Sequence, residues 1–296
     1  MKNSQESGVR SQEFKPFNQL PIAYCLIISL FTIHFSLFAA YASDDFRKRK
    51  SETQETFGEV DDIKAEVIFG RELAARIVGK YGLYEDKKLT RYINLVGKGV
   101  SQYANRPEIE FRFAILDTDN VNAYAAPGGY VFVTKGALKE MEDEAELAAV
   151  LAHEVAHVAE RHIVKELNIK GTGDSPASGL ARVLGGGTDV MRGVFTQMVD
   201  KAVEILFEKG LKKQDEMDSD RISTMTITSA GYDPAALKRY LKKISSDEED
   251  TKILAGTHPT FEDRIIGLDA VLAENQLTDK KQSIVKERFN ENVKVK

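Results

Sequence analysis

The pentapeptide His153-Glu154-Val155-Ala156-His157 constrains this chain more than any other feature. On a helix, residues i and i+4 share a face, so both imidazoles can point at one site. A metal about 2.0–2.1 Å from each ring nitrogen would satisfy both. Glu154 is rotated by about 100° from His153. Its carboxylate therefore falls beside such a metal and not on it, where it can take a proton from water. The flanking residues Leu147, Val150, Leu151 and Val158 make the segment amphipathic and bury it. Two histidines and a glutamate buried without a cation would be costly. The fold must therefore bury a helix and bring it one more ligand from elsewhere, because catalytic zinc keeps three protein ligands and an open position.

His162 is a poor third ligand. On one straight helix it cannot converge with the other two histidines. In the longer H-E-x-x-H-x-x-G-x-x-H arrangement the third histidine falls at Ile163, and Glu160 stands where glycine must bend the chain. His162 is expected as a solvated group or as a partner behind the ligands. The nearest acid about 20 residues on is Asp174, in a glycine-rich stretch. Glu216 is the better candidate. Residues 214–221 read as helix, and Glu216 and Asp220 share a face at i, i+4. One can bind metal while the other accepts a ligand histidine's N–H. By spacing alone, the four acids Asp215, Glu216, Asp218 and Asp220 still read first as a solvated helix face.

The chain around these motifs is organised in blocks. Residues 1–19 are polar, and residues 20–42 are apolar and uncharged. They read as a signal peptide cut after Ala42, or as a retained membrane anchor long enough to span a bilayer. Residues 43–62 read as a linker. Helical spacing from about 63 to 104 predicts two helices broken near Tyr81-Gly82, and alternation over Ile109–Ile115 predicts a strand. Val121–Ala125 and Tyr130–Thr134 predict two more, joined by Pro127-Gly128-Gly129. A long helix carrying the pentapeptide then runs to about Leu167. Residues 168–188 hold six glycines and read as a loop, either a lid or a disordered insertion. Met191, Val194, Phe195, Met198, Ala202 and Ile205 recur at helical spacing and read as core. Further helices cover 211–230, 234–245 and 261–275, and residues 277–296 read as a charged tail. The class is α+β, mainly helical, with a small mixed sheet of about three strands in a domain spanning 63–276. A net charge of −5 speaks against nucleic acid as a partner. The one cysteine, Cys25, excludes an intrachain disulfide.

Four separated blocks resemble the HtpX and CAAX-prenyl-protease-like zinc peptidases, peptidase family M48. Asn122-Ala123-Tyr124-Ala125-Ala126-Pro127-Gly128-Gly129 resembles the strand and turn before that family's catalytic helix. H-E-V-A-H with Arg161-His162 resembles its zinc helix. Glu216-x-x-x-Asp220 with Ala230-Gly231-Tyr232-Asp233-Pro234 resembles its third-ligand block, and Thr257-His258-Pro259 with Arg264-Ile265 its last one. Ser219 stands where alanine is usual and is expected not to affect ligation. The resemblance spans about 65–275 and implies a zincin-like metallopeptidase domain. It implies one Zn2+ per chain on His153, His157 and Glu216, with Asp220 behind them and Glu154 as general base. It also suggests a compact exported member acting in the periplasm or envelope on unfolded or misassembled proteins.

Three further expectations complete the reading. His258 and Arg264 are candidate donors to the oxyanion of a tetrahedral intermediate. His258 is alternatively a latch on the open metal position, or a cap of the 261–274 helix paired with an acid. Substrate is expected to add as a strand along Asn122, Gly129, Tyr130, Val131 and Phe132. The rival functions are a chaperone-like envelope protein with a latched or structural zinc, and a zinc hydrolase of non-peptide substrates.

Overall fold

A computed structural model of the chain describes residues 60–167, 180, 183–184, 188–246 and 257–295. The signal or anchor segment 1–42, the cut after Ala42, nearly all of the linker and most of the 168–188 stretch lie outside the described residues. Among the described residues, no helix is long and apolar enough to cross a membrane.

The helical spacing after the linker becomes α1 (Val60–Tyr81) and α2 (Lys87–Ser101), parted at Gly82. Asp86 starts α2 by accepting from the Leu89 N–H at 2.9 Å, the usual N-cap bond. The α2 residues Leu89, Tyr92, Ile93, Val96 and Val100 then share one buried face. Three strands follow: β1 (Arg112–Leu116), β2 (Ala123–Ala126) and β3 (Tyr130–Thr134). They form a mixed sheet of order β1-β3-β2, with β1 parallel and β2 antiparallel to β3.

That order corrects the expected substrate edge. β3 is the middle strand, so the backbones of Tyr130, Val131 and Phe132 are committed to both neighbours. The carbonyl of Gly129 is also taken, accepting from the Arg112 N–H at 2.8 Å. The tight turn at Pro127-Gly128-Gly129 makes β2 and β3 a hairpin, and β1 closes the far side of β3. Gly128 has φ +74°, and a Cβ there would sit 2.6 Å from the Val67 Cα in α1. The edge strand of this hairpin is β2.

After α3 (Lys135–Glu140) comes the helix of the pentapeptide, α4 (Glu144–Ala159). Asp143 caps it, accepting from the Glu146 N–H at 3.0 Å. Every residue from Glu144 to Val158 is buried, because alanines at many positions let neighbours approach from all sides. Those neighbours include α2, the sheet, α7 (Lys213–Ser229) and α8 (Ala236–Ile244). The helix does not continue straight to Leu167. Arg161 turns into the left-handed region at φ +56°, and α5 (His162–Glu166) sets off anew. Charge holds the break: the buried Glu66 carboxylate lies 3.0 Å from both Arg106 and Arg161. Arg106 also donates to the Val158 carbonyl at 3.1 Å, which places a cation at the negative end of the α4 dipole.

In α6 (Asp189–Glu204) the expected core stripe is only partly core. Ala202 and Ile205 are buried with Val199, whereas Val194 is 37% exposed and Met191, Phe195 and Met198 are half-buried. A wide helical turn at Ile205–Lys209 leads on to α7. After α9 (Phe261–Glu274), the segment read as a tail instead packs on the domain. It carries α10 (Lys286–Asn292), buries Leu277 and Phe289, and sends Arg288 to the buried Glu144 at the start of α4. Its charges hid two apolar anchors and an ion pair.

Candidate metal centre

One turn of α4 and the first turn of α7 build the site. His153 and His157 point their Nε2 atoms to the same place, 3.0 Å apart. Glu216 presents its carboxylate to both, with oxygens 3.6 Å from His153 Nε2 and 3.4 Å from His157 Nε2. A tetrahedral ion about 2.0–2.1 Å from each donor needs donors roughly 3.3–3.4 Å apart. The two glutamate distances run to different oxygens, Oε2 and Oε1, yet all three spacings lie near that value, and one ligand atom from each residue lies within 4.8 Å of the others, so the trio could hold a metal ion. Two imidazoles and a carboxylate are also a donor set that suits zinc.

The rings are held from behind. His153 Nδ1 lies 2.9 Å from Asp220 Oδ1. Arg264 grips the same carboxylate through Nε at 2.9 Å and a terminal nitrogen at 2.5 Å. Asp220 and Arg264 are both buried. Burial opposes the charge on Asp220, but Arg264 overcomes it and holds the carboxyl below its ordinary range. His157 is backed differently, by His162: the two Nδ1 atoms are 2.9 Å apart. The turn at Arg161 swings His162 round to make this contact. On a straight helix it would not. Burial drives both His157 and His162 below the ordinary histidine range, His162 to about 4. Burial and Arg264 also work against a charge on His153, yet Asp220 and Glu216 hold it up to about 9. Burial opposes ionisation of Glu216 too, but the surrounding histidines, His258 first, keep it well below the usual range.

Glu154 sits at the meeting of two pockets, which it lines together with His258 and Ala123. One, of about 470 Å³, runs over Val150, Leu237, Tyr240, Leu241 and Ile244. The other, of about 400 Å³, runs over Tyr124, Ile163, Leu206 and Leu211 beside His157 and Glu216. Both are largely apolar, and β2 lines both. Burial pushes Glu154 up to about 7, against the pull of His153 and His258.

Of the sequence-predicted residues, His153, His157 and Glu216 meet, and Asp220 stands behind His153. Asn122 and Ala123 flank the cleft, while Gly129, Tyr130, Val131 and Phe132 do not line it. Arg264 lines the pocket, grips Asp220 through Nε and one terminal nitrogen, and touches His153 Nδ1 at 3.4 Å. His258 does not cap its helix. Thr260 does, accepting from the Asp263 N–H at 3.2 Å. The acid pairing expected with that cap is present, since His258 places Nδ1 2.8 Å from Glu216 Oε2. Its loop is pressed onto Gly210, where φ is +72° and a Cβ would lie 2.1 Å from the Thr257 carbonyl oxygen. Of the two expectations for His162, solvated or standing behind the histidine pair, the buried contact on His157 fits the second. The contact without a signal in the sequence is Ser219, whose Oγ lies 3.4 Å from His157 Nδ1, so this departure from the family pattern borders a candidate ligand.

A mainly helical domain with a small mixed sheet, and two histidines on a buried helix joined by a glutamate from a second helix, define a zincin-like metallopeptidase domain. Residues 87–272 match the family model of Peptidase family M48, well over half of the 296-residue chain, and the chain belongs to that family. It is 28% identical over 242 residues to the beta-barrel assembly-enhancing protease of Escherichia coli (strain K12), covering 74% of this chain and 46% of that protein. It is 26% identical over 191 residues to the mitochondrial metalloendopeptidase OMA1 of Schizosaccharomyces pombe, covering 64% of this chain and 54% of the relative. With the metalloprotease LoiP of Escherichia coli (strain K12) it shares 26% over 179 residues, 60% of this chain and 67% of the relative. The chain thus spans about half the length of the first two relatives.

Proposed function

We propose that this chain is a zinc-dependent endopeptidase in which His153, His157 and Glu216 hold the metal and Glu154 is the general base. The observation that carries this is the convergence of two ring nitrogens and the Glu216 carboxylate, with spacings of 3.0 to 3.6 Å, beside a buried carboxylate that opens on two pockets. A zinc ion there supplies Lewis acidity, polarising a scissile carbonyl and making water a better nucleophile. Glu154 takes the proton of the attacking water and delivers it to the leaving amine. Its raised proton affinity suits that exchange, and a cation beside it would draw the value back down.

An extended peptide would add to the edge of β2, Ala123–Ala126, and lie across Glu154 with its side chains in the two pockets. Main-chain pairing of this kind tolerates many sequences. That suits unfolded or misassembled proteins as substrates, in an exported, envelope setting. The apolar segment 20–42 supports that setting, whether cleaved or kept as an anchor, as does likeness to a protease named for β-barrel assembly. The His258–Glu216 contact favours a restrained resting state, in which His258 must move off before substrate enters.

The test is Glu154→Gln. The variant should retain one zinc per chain by elemental analysis and lose casein cleavage by a factor of roughly a hundred or more. Wild-type cleavage by the variant, or an active wild type indifferent to chelation, would sink the assignment.

A further inference from the structure

The two histidines on the metal are backed by different chemistry. A ligand histidine that binds metal through Nε2 carries its proton on Nδ1, and that N–H needs an acceptor. For His153 the acceptor is the Asp220 carboxylate at 2.9 Å. For His157, two atoms lie within reach: His162 Nδ1 at 2.9 Å and Ser219 Oγ at 3.4 Å. The closer one accepts only if His162 is neutral with a bare Nδ1, so its own proton must be on Nε2. On that side stands Asp215, with Oδ1 3.8 Å from His162 Nε2. That is too long for a direct hydrogen bond, but a negative charge there favours the Nε2–H tautomer. The left-handed Arg161 and the Glu66 pair that holds it turn His162 into this position.

We propose that His162 is a positioning residue for His157: a neutral Nε2–H imidazole, favoured by Asp215, whose bare Nδ1 accepts the His157 N–H. In the run Asp215-Glu216-Met217-Asp218-Ser219-Asp220, Glu216 then reaches the metal while the residues before it and four after it serve one histidine each. This rests on the metal reading above, and it assigns work to two residues that the reading does not use.

The experiment compares zinc affinity by chelator competition in the wild type, His162→Leu, His162→Asn and Ser219→Ala. Leucine fills the space with no acceptor. Asparagine places Oδ1 where His162 carries Nδ1. The expected result is a zinc Kd raised roughly ten- to a hundredfold in His162→Leu. His162→Asn should fall within a few-fold of wild type, and Ser219→Ala should be close to unchanged. The melting temperatures of the metal-free forms separate folding from affinity, since a purely structural role predicts no rescue by asparagine. Equal affinity in His162→Leu and wild type overturns the proposal, and so does a loss confined to Ser219→Ala. If His162→Leu does not fold, nitrogen-15 imidazole NMR of the zinc-loaded wild type decides. An Nε2–H tautomer at His162 is expected, and an Nδ1–H tautomer there overturns it. A wild type that binds no zinc at all would instead overturn the metal reading.

Discussion

Asp220 and Arg264 allow stability and metal affinity to be pulled apart. Asp220 accepts from Arg264 at 2.9 and 2.5 Å and faces His153 Nδ1 at 2.9 Å, and all three are buried. Asp220→Leu leaves a buried guanidinium without its anion, which costs about 3–5 kcal/mol of stability. It also leaves the His153 N–H without an acceptor, which should raise the zinc Kd roughly ten- to a hundredfold, or about 1.4–2.7 kcal/mol. Adding Arg264→Leu removes the stranded charge and fills the space with apolar atoms. Buried pairs replaced in this way are often no less stable than the original. The double variant should therefore recover about 2 kcal/mol over Asp220→Leu in urea denaturation of the metal-free protein. What remains missing is about 1–3 kcal/mol for the unmet N–H. Its zinc affinity should stay as low as in the single variant, because the acceptor is still absent. If affinity returns along with stability, Asp220 does not orient His153, and its effect on the metal runs only through folding.

Three other perturbations test the fold. Gly70→Ala would put a Cβ 1.5 Å from the Pro127 carbonyl oxygen, whereas a Cβ at Gly79 meets nothing within 4 Å. The first should destabilise by about 1–3 kcal/mol and the second should stabilise by up to about 1 kcal/mol; the same sign in both melts would refute the packing of α1 on the hairpin turn. Burial holds Glu146 up to about 7 from an ordinary 4.5, so the folded chain keeps a proton that the unfolded chain loses between those values. Stability should therefore fall as pH rises through that window, and Glu146→Gln should flatten the slope; an unchanged slope in urea titrations would remove Glu146 as its source. Phe289→Ala should cost about 3–5 kcal/mol if the C-terminal segment is part of the core, and an unchanged denaturation midpoint would return residues 277–295 to the status of a tail.

What could be read in the sequence was local. The i, i+4 pairs of α4 and α7 place His153 with His157 and Glu216 with Asp220 wherever the helices go, so the ligand set was within reach. The middle position of β3 was not, because periodicity reports which face of a strand is buried but not who its neighbours are. The break after Ala159 carried no glycine or proline. Arg161 takes the left-handed conformation there, with its guanidinium held at 3.0 Å by Glu66 from a helix at the start of the domain. Without that break His162 would point away from His157, so a straight helix left its place behind the pair undecided between solvent and contact. The segment after Gln276 misled by composition: Arg288 belongs to a buried Glu144, and Phe289 is one aromatic among many charges.

The charges buried at the site give an argument for a divalent ion that does not depend on distances. Glu154, Glu216 and Asp220 are carboxylates and Arg264 is the one fixed cation among them, and all four are buried. Fully ionised, with neutral histidines, the group lacks two positive charges, and low-dielectric surroundings do not leave such an imbalance standing. Without a dication, protons would have to meet that imbalance: Asp220 and Glu216 hold His153 up to about 9, and burial brings Glu154 up to about 7. A dication at the three proposed donors would supply the same two charges. It would leave His153 neutral, as a ligand must be, and free Glu154 to ionise. On the proposed assignment one charge balance links the metal to the base: an ion held by His153, His157 and Glu216 would also set Glu154 in the form that can accept a proton.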